Sequence, residues 1–216
     1  MAKLKAIAGY TPLFARAFPR QEDPITPESW GKAVGAYVRT LMTPAPFDRF
    51  LQGNDTALPA LAQAGLRTFM AMGCASCHNG AGVGGTMYQK FGMTEEYWKA
   101  TSSAAIDKGR FDVTQSPDDL YVFKVPSLRN VARTPPYFHD GSVPTLPDAV
   151  RIMARVQLGR QIDDMQVTQI VAFLESLTGP VPANFATAPV PTTRCGSEDR
   201  CPRQPPRPLA QSSIAW

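Results

Sequence analysis

Histidine is almost missing from this sequence: its 216 residues hold two, His78 and His139. A zinc centre built on several histidines is therefore excluded, and any metal held by two histidines must use this one pair. Long apolar runs are missing as well. No stretch of about 18 apolar residues occurs, so no membrane-spanning helix is expected. Charge is close to balance, with 22 Lys and Arg against 18 Asp and Glu, a formal net charge of +4. Much of the excess, Arg194, Arg200, Arg203 and Arg207, lies among prolines near the end. It forms no basic stripe on a folded face, which argues against a nucleic-acid partner. The opening MAKLKAIAGYTPLF lacks the apolar run and small-residue cleavage site of a secretory leader. What is present is a hydrophobic content of 44%, enough for the core of one domain, or of one domain with a tail.

Helix signals punctuate the chain. Thr26-Pro27 reads as an N-cap followed by proline at the first helical position, and Trp30, Ala33, Val34, Tyr37, Val38 and Leu41 follow at helical spacing. Thr43-Pro44-Ala45-Pro46 interrupts the pattern; Phe47, Phe50 and Leu51 then predict a short helix closed by Gly53. Leu58, Leu61, Ala62, Gly65, Leu66 and Phe69 predict a longer helix stopped by Gly73. Glycine inside a helix costs about 1 kcal/mol relative to alanine. Either another helix packs closely at Gly65, or the glycine is simply tolerated.

Residues 79–145 read as loop-rich. Gly80, Gly82, Gly84 and Gly85 are not a phosphate loop, because no Gly-Lys-Ser/Thr follows. A segment so free of bulky side chains could instead lie against a flat cofactor. Thr145-Leu146-Pro147-Asp148 resembles a capping box and opens a helix with Leu146, Ala149, Val150, Met153 and Ala154 on one face, ended by Gly159. Asp163 and Gln166 cap a last helix carrying Val167, Ile170, Val171 and Leu174, with Gly179-Pro180 as its stop. Residues 180–216 hold eight of the 21 prolines and read as an extended tail.

One pattern carries chemistry: Cys74-Ala75-Ser76-Cys77-His78. Two thiols three residues apart can form thioethers to both vinyl groups of one haem, leaving the next residue, His78, as proximal ligand. A thioredoxin-like redox pair is the competing reading. Such pairs open a helix after a strand, whereas this motif follows a helix. One covalent haem c is therefore expected. The fold class that goes with it is mainly α, a cytochrome c-type haem domain with long irregular loops over residues 56–179. A helical lead-in, 1–55, precedes it and a Pro/Arg-rich C-terminal tail, 180–216, follows. Haem c is attached outside the cytoplasm, so a periplasmic or otherwise extracytoplasmic location is expected. The numbering then begins after leader removal or partway through a longer protein, and an opening that reads as mid-domain favours the latter.

The residues leave the sixth ligand open: none, His139, or a methionine. A thioether raises the potential and suits electron relay, while an open position suits peroxide or ligand chemistry. Met70 and Met72 belong to the helix before the motif and do not reach the opposite haem face. Met87, Met93, Met165 and Met153 remain, and for Met153, on an apolar stripe, ordinary core packing is the competing role. Cys195 and Cys201 have no following histidine, so they hold no second haem of this type. In an oxidising compartment they are expected to close a small disulfide loop.

Several long segments in order resemble the bacterial dihaem cytochrome c peroxidase family, in its C-terminal, electron-transfer half. They are Asp107-Lys108-Gly109-Arg110, Phe123-Lys124-Val125-Pro126-Ser127-Leu128-Arg129-Asn130-Val131, Thr134-Pro135-Pro136-Tyr137-Phe138-His139-Asp140-Gly141-Ser142, and Ile152-Met153-Ala154-Arg155-Val156-Gln157-Leu158-Gly159. The likeness covers about residues 7 to 179. It implies that Cys74 and Cys77 hold the high-potential haem, with His78 proximal and Met153 distal. It implies that His139 lies in the region coupling two haems, and that the carbonyls of Thr134 and Pro136 contribute to a calcium site. Carbonyl oxygens suit that hard cation. Relatives that oxidise protein tryptophans carry Tyr in place of Met at the distal position, so Met153 points to the peroxidase branch.

The departure from the family is as informative. The peroxidatic haem, with its own Cys-x-x-Cys-His, is not in this sequence. The chain alone is therefore expected to be inactive. Its implied partners are a small electron-donor cytochrome or cupredoxin and a peroxidatic haem domain, upstream or on a separate subunit, in an oligomer or larger complex. The alternative is a mono-haem electron carrier, stand-alone or complex-bound. In a third role, the Pro/Arg tail docks the haem domain into a larger assembly.

Overall fold

The structure, a computed structural model, describes residues 1–181. The expected tail and the Cys195–Cys201 pair lie outside the described residues. Two compact units are present, one holding Met1–Met42 and the other Thr43–Pro180.

The first unit contains α1 (Ala2–Lys5), α2 (Tyr10–Ala17) and α3 (Pro27–Thr40). Thr26 caps α3 as its sequence predicts: its hydroxyl accepts from the Ser29 amide at 3.2 Å, and the Ser29 hydroxyl accepts from the Thr26 amide at 3.1 Å. In α2, Phe14 is buried and its ring stacks on Phe18.

The second unit is built on α4 (Pro46–Leu51), α5 (Ala60–Met72), α8 (Leu146–Leu158) and α9 (Asp164–Glu175). Between α5 and α8 run the short helices α6 (Tyr97–Thr101) and α7 (Phe111–Thr114) and two strands, β1 (Tyr88–Lys90) and β2 (Val122–Lys124). The strands pair antiparallel with Gln89 opposite Phe123. The helix starts follow local chemistry. Thr145 accepts from the Asp148 amide at 3.3 Å, and Asp163 and Gln166 form a reciprocal capping box.

The crossing of α5 and α9 is the most extensive helix contact. It resolves the question of Gly65. A Cβ there would lie 1.8 Å from the Gln169 carbonyl oxygen, so the backbones meet where only glycine fits. Thr68 donates to the Gln169 side chain at 2.8 Å beside it. Around the crossing the rings of Phe47 and Phe69 meet Phe173 at 5.3 and 5.2 Å, and Leu58, Ala62, Ile170 and Leu177 fill the core.

One expected boundary moves. Helix α9 ends at Glu175, not at Gly179. The Ser176 hydroxyl donates to the Phe173 carbonyl at 2.6 Å and closes the turn. Gly179 has a tertiary role instead. A Cβ there would lie 2.2 Å from the Pro44 carbonyl oxygen, and its amide donates to Asn130 Oδ1 at 3.0 Å.

Residues 79–145 are largely irregular, as expected, and are tied down by specific bonds. Thr94 donates its amide to the Val156 carbonyl at 3.0 Å, and Gln157 donates to the Lys90 carbonyl at 2.9 Å. These bonds fasten the long connection to the end of α8.

Candidate haem c site

Helix α5 ends on Gly73, which adopts the left-handed conformation at φ +96°, and the chain turns at once into a single 3-10 turn, Cys74–Ser76. The His78 amide donates to the Cys74 carbonyl at 3.0 Å. The Ser76 hydroxyl donates to the Gly73 carbonyl at 2.7 Å, and the Asn79 amide group donates to the Ala75 and Ser76 carbonyls at 3.2 Å each. The structure thus brings Cys74, Cys77 and His78 together on one turn, both cysteines being half-buried free thiols. Burial pushes the Cys74 thiol up to about 11. A thioredoxin-type nucleophile opens a helix after a strand and needs the opposite shift, so the burial of Cys74 and its place on a turn after α5 disfavour the redox-pair reading.

The glycine cluster packs against His78. Gly84, at φ +114°, lies so close that a Cβ would stand 2.3 Å from the Pro126 carbonyl oxygen and 3.0 Å from His78 Nδ1. Val83 is buried and held at φ +47°, a conformation that costs a β-branched residue about 1–3 kcal/mol and persists only where its surroundings fix it. What fixes it is the Leu128 amide, which donates to the Val83 carbonyl at 3.2 Å, and the core contact of its side chain.

His78 Nδ1 is buried without a completed hydrogen bond. Burial lowers the ring below its ordinary pKa, while the nearby carbonyls of Pro126 and Val83 pull the other way without reaching bonding geometry at Nδ1. A buried neutral imidazole with one nitrogen turned to a carbonyl is the form in which histidine ligates a metal through the other nitrogen. The residues present therefore fit a covalent haem c: two free thiols on one turn, and a neutral histidine held beside them.

Arg129 is a positioning residue that sequence reasoning missed. Its side chain is 9% exposed and grips both oxygens of Asp48, at 2.6 and 2.7 Å. It also donates through Nε and Nη2 to the Ala81 carbonyl, at 3.0 and 2.8 Å. It thereby ties α4 to the loop that follows His78. The hydrogen bond from Arg129 holds the Asp48 carboxyl below its ordinary value, against the opposing effect of burial. No local signal announces a pair 81 residues apart.

Met153 lies in α8, half-buried, beside Ile152 and Val150, which pack on the core cluster while Met153 does not belong to it. Met70, Met93 and Met165 are exposed, Met87 is half-buried and Met72 is buried. His139 sits elsewhere, in a nest of rings. It stacks on Phe123 at 4.4 Å and meets Tyr97 and Phe91 edge-on at 5.4 and 6.3 Å. Its Nε2 is buried without a hydrogen bond, 3.8 Å from Asp107 Oδ2. Among the described residues no hydrogen bond or ring contact joins it to His78. Thr134 and Pro136 lie on an exposed turn. They offer two carbonyls, where calcium takes six to eight oxygens.

Fold and site together define a c-type cytochrome domain. A family model described as cytochrome c matches residues 62–178, and one described as di-haem cytochrome c peroxidase matches residues 1–56. Cytochrome c551 peroxidase of Pseudomonas aeruginosa is 44% identical over 197 residues, covering 87% of this chain and 57% of that protein. Its namesake from Nitrosomonas europaea is 42% identical over 174 residues, 80% of this chain and 50% of that protein. Methylamine utilization protein MauG of Methylorubrum extorquens is 35% identical over 146 residues, 67% of this chain and 39% of that protein. A crystal structure of a MauG-like protein associated with microbial copper homeostasis matches with a TM-score of 0.58 at 26% identity, covering 82% of this chain and 61% of that one. The chain belongs to the dihaem cytochrome c peroxidase family. It spans about half the length of the curated relatives it matches.

Proposed function

We propose that this chain carries the electron-transfer haem of a dihaem cytochrome c peroxidase. It accepts electrons from a small cytochrome or cupredoxin and passes them to a second, peroxidatic haem. There hydrogen peroxide takes up two electrons and two protons to give two waters. The observation that carries this reading is the single attachment turn, Cys74 to His78, in a member of a two-haem family.

Bound here, haem c would supply reversible one-electron transfer. Cys74 and Cys77 would tether it and His78 would ligate it, while Gly84 and Pro126 crowd the Nδ1 side of the imidazole. Met153 would be the second side chain to hold the iron, a role supported by its position outside the core cluster. His139, ringed by Phe123, Tyr97 and Phe91, belongs to the region coupling the two haems. The carbonyls of Thr134 and Pro136 contribute to calcium binding, and the protein works in the periplasm or another extracytoplasmic compartment. The peroxidatic haem lies upstream or on a separate subunit.

The isolated holo-chain is expected to show one haem and negligible peroxide turnover with a reduced donor. Efficient turnover by the chain alone overturns this division of labour. A one-haem monomer that purifies from its native source without a partner replaces it with the mono-haem carrier. For the sixth ligand, Met153→Ala is expected to abolish the long-wavelength thioether–iron band of the ferric protein and to lower the reduction potential, since methionine ligation raises it. Met87→Ala and Met93→Ala should leave both unchanged. Survival of the band in Met153→Ala would move the ligand elsewhere.

A further inference from the structure

A methionine ligand differs from a histidine ligand in what can orient it. An imidazole has a second nitrogen, and a hydrogen bond there fixes the ring. A thioether is only a weak acceptor and has no second polar atom. Its placement is therefore set by the helix that carries it and by whatever holds that helix. For Met153 the helix is α8, and two side chains hold its C-terminal end. The last four carbonyls of a helix have no partner within it. Thr94 serves two of those in α8. Its amide donates to the Val156 carbonyl at 3.0 Å, and its hydroxyl lies 2.7 Å from the Arg155 carbonyl and 3.0 Å from that of Val156. Gln157 reaches the other way. Its Nε2 donates to the Lys90 carbonyl at 2.9 Å, and its Oε1 accepts from the Gly92 amide at 3.1 Å. Both ends of one carboxamide thus close on a single stretch of backbone.

That stretch is a firm anchor. Lys90 ends β1, paired with Val122. The Phe91 amide donates to the Tyr121 carbonyl at 2.9 Å, and the Phe91 ring stacks at 4.7 Å on Tyr97, which is fully buried. Gly92 sits at φ +85°, where a Cβ would stand 2.4 Å from the Glu95 carbonyl oxygen, so the turn that presents its amide admits only glycine. Gln157 follows Met153 by four residues and shares its face of α8, one turn on. A grip at Gln157 fixes the rotation and axial position of that face. We infer that Gln157 is a positioning residue for the Met153 thioether, acting with Thr94 to hold α8 in the register that keeps Met153 on the iron. The assignment rests on the reading of Met153 as a haem ligand. The competing role is plain anchoring of the loop. Anchoring affects stability alone, whereas positioning also changes how readily the iron gives up its sixth ligand.

The test uses the holo-chain and imidazole as a probe. Added imidazole binds the ferric iron only where the thioether has left, so its apparent affinity reports the fraction of protein with that position free. Gln157→Leu keeps most of the side chain's bulk and removes both hydrogen bonds. It is expected to bind imidazole about tenfold more tightly, the weight of two such bonds. It should also weaken the long-wavelength thioether–iron band and lower the reduction potential. Thr94→Val removes only the hydroxyl and should change all three in the same direction by less. Should Gln157→Leu not retain haem, Thr94→Val decides alone. Gln63→Leu is the matched control, because Gln63 donates to the carbonyls of Asp55 and Leu58 at 2.9 and 3.0 Å from α5 instead of α8. Its imidazole affinity and potential should equal those of the unvaried chain, even where denaturant unfolding shows the same loss of stability as Gln157→Leu. Unchanged imidazole binding in Gln157→Leu overturns the proposal, and so does an equal rise in Gln63→Leu, which would reduce the effect to stability. Met153→Ala separates this inference from the reading beneath it. If Met153→Ala binds imidazole no more tightly than the unvaried chain, Met153 is not the ligand and both fail. If it binds far more tightly while Gln157→Leu is unchanged, the ligand stands and only the role of Gln157 is lost.

Discussion

Gly65→Ala is expected to lower the unfolding free energy by about 2–3 kcal/mol, although the same change ordinarily stabilises a helix interior by about 1 kcal/mol. Distance decides the sign. The added Cβ would fall 1.8 Å from the Gln169 carbonyl oxygen and 2.5 Å from its carbon, with Phe173 Cβ at 3.0 Å. The first two are backbone atoms of the facing helix and cannot swing aside as a flexible side-chain tip can. Helices α5 and α9 must therefore part, and the rings of Phe69 and Phe173 lose contact with them. Because α5 runs through Gly73 directly into Cys74, the displacement reaches the attachment turn. Denaturant unfolding followed by circular dichroism should show the loss, together with a lower yield of covalently attached haem. Gly31→Ala, which meets nothing within 4 Å, is the contrasting case and should be neutral or stabilising. Equal effects at the two sites would mean that the crossing does not depend on Gly65.

The features legible in the sequence are those decided within a few residues. Thr26, Thr145 and Asp163 cap helices because an N-cap needs only its own side chain and an amide two or three residues on. The Cys74–His78 turn is local in the same way. Met153 is half legible: spacing places it on a helix face, but spacing does not separate a core methionine from a ligand. The illegible features are tertiary. Strands β1 and β2 have three residues each, too short for an alternating pattern to be read. Gly179 looks like a helix stop, and its actual constraint is the approach of Pro44, far away in the chain. The surroundings of His139 come from three separate segments around Phe91, Tyr97 and Phe123. Sequence shows that His139 is scarce, not what encloses it.

Arg129→Ala is expected to have the largest effect, a loss of about 3–5 kcal/mol, because it strands a partly buried carboxylate and removes a donor from a loop carbonyl at once. Asp48 keeps backbone amides, that of Ala45 at 2.7 Å, but no cation as a partner among the described residues in that variant, and the Ala81 carbonyl loses both of its guanidinium bonds. Arg129→Lys should recover little, since an ammonium cannot span both Asp48 oxygens and reach Ala81 together. The pH dependence identifies the cause. The folded-state pKa of Asp48 is depressed, so its contribution is fully present above the unfolded value of about 4 and is lost as pH falls through the folded value. The stability gap between wild type and Arg129→Ala should therefore be widest above pH 4 or so and narrow on further acidification. A gap that stays constant through that range would show that the loop bonds to Ala81, not the ion pair, carry the effect. Asp48→Asn separates the two directly, because it removes the charge and leaves Arg129 free to hold Ala81. If the loop bonds matter to the site, exchange of the Val83 and Gly84 amides, which donate to the Gly80 and Asn79 carbonyls at 2.8 and 2.7 Å, should accelerate in Arg129→Ala and much less in Asp48→Asn. That ordering would make Arg129 the residue through which α4 fixes the loop packed against His78.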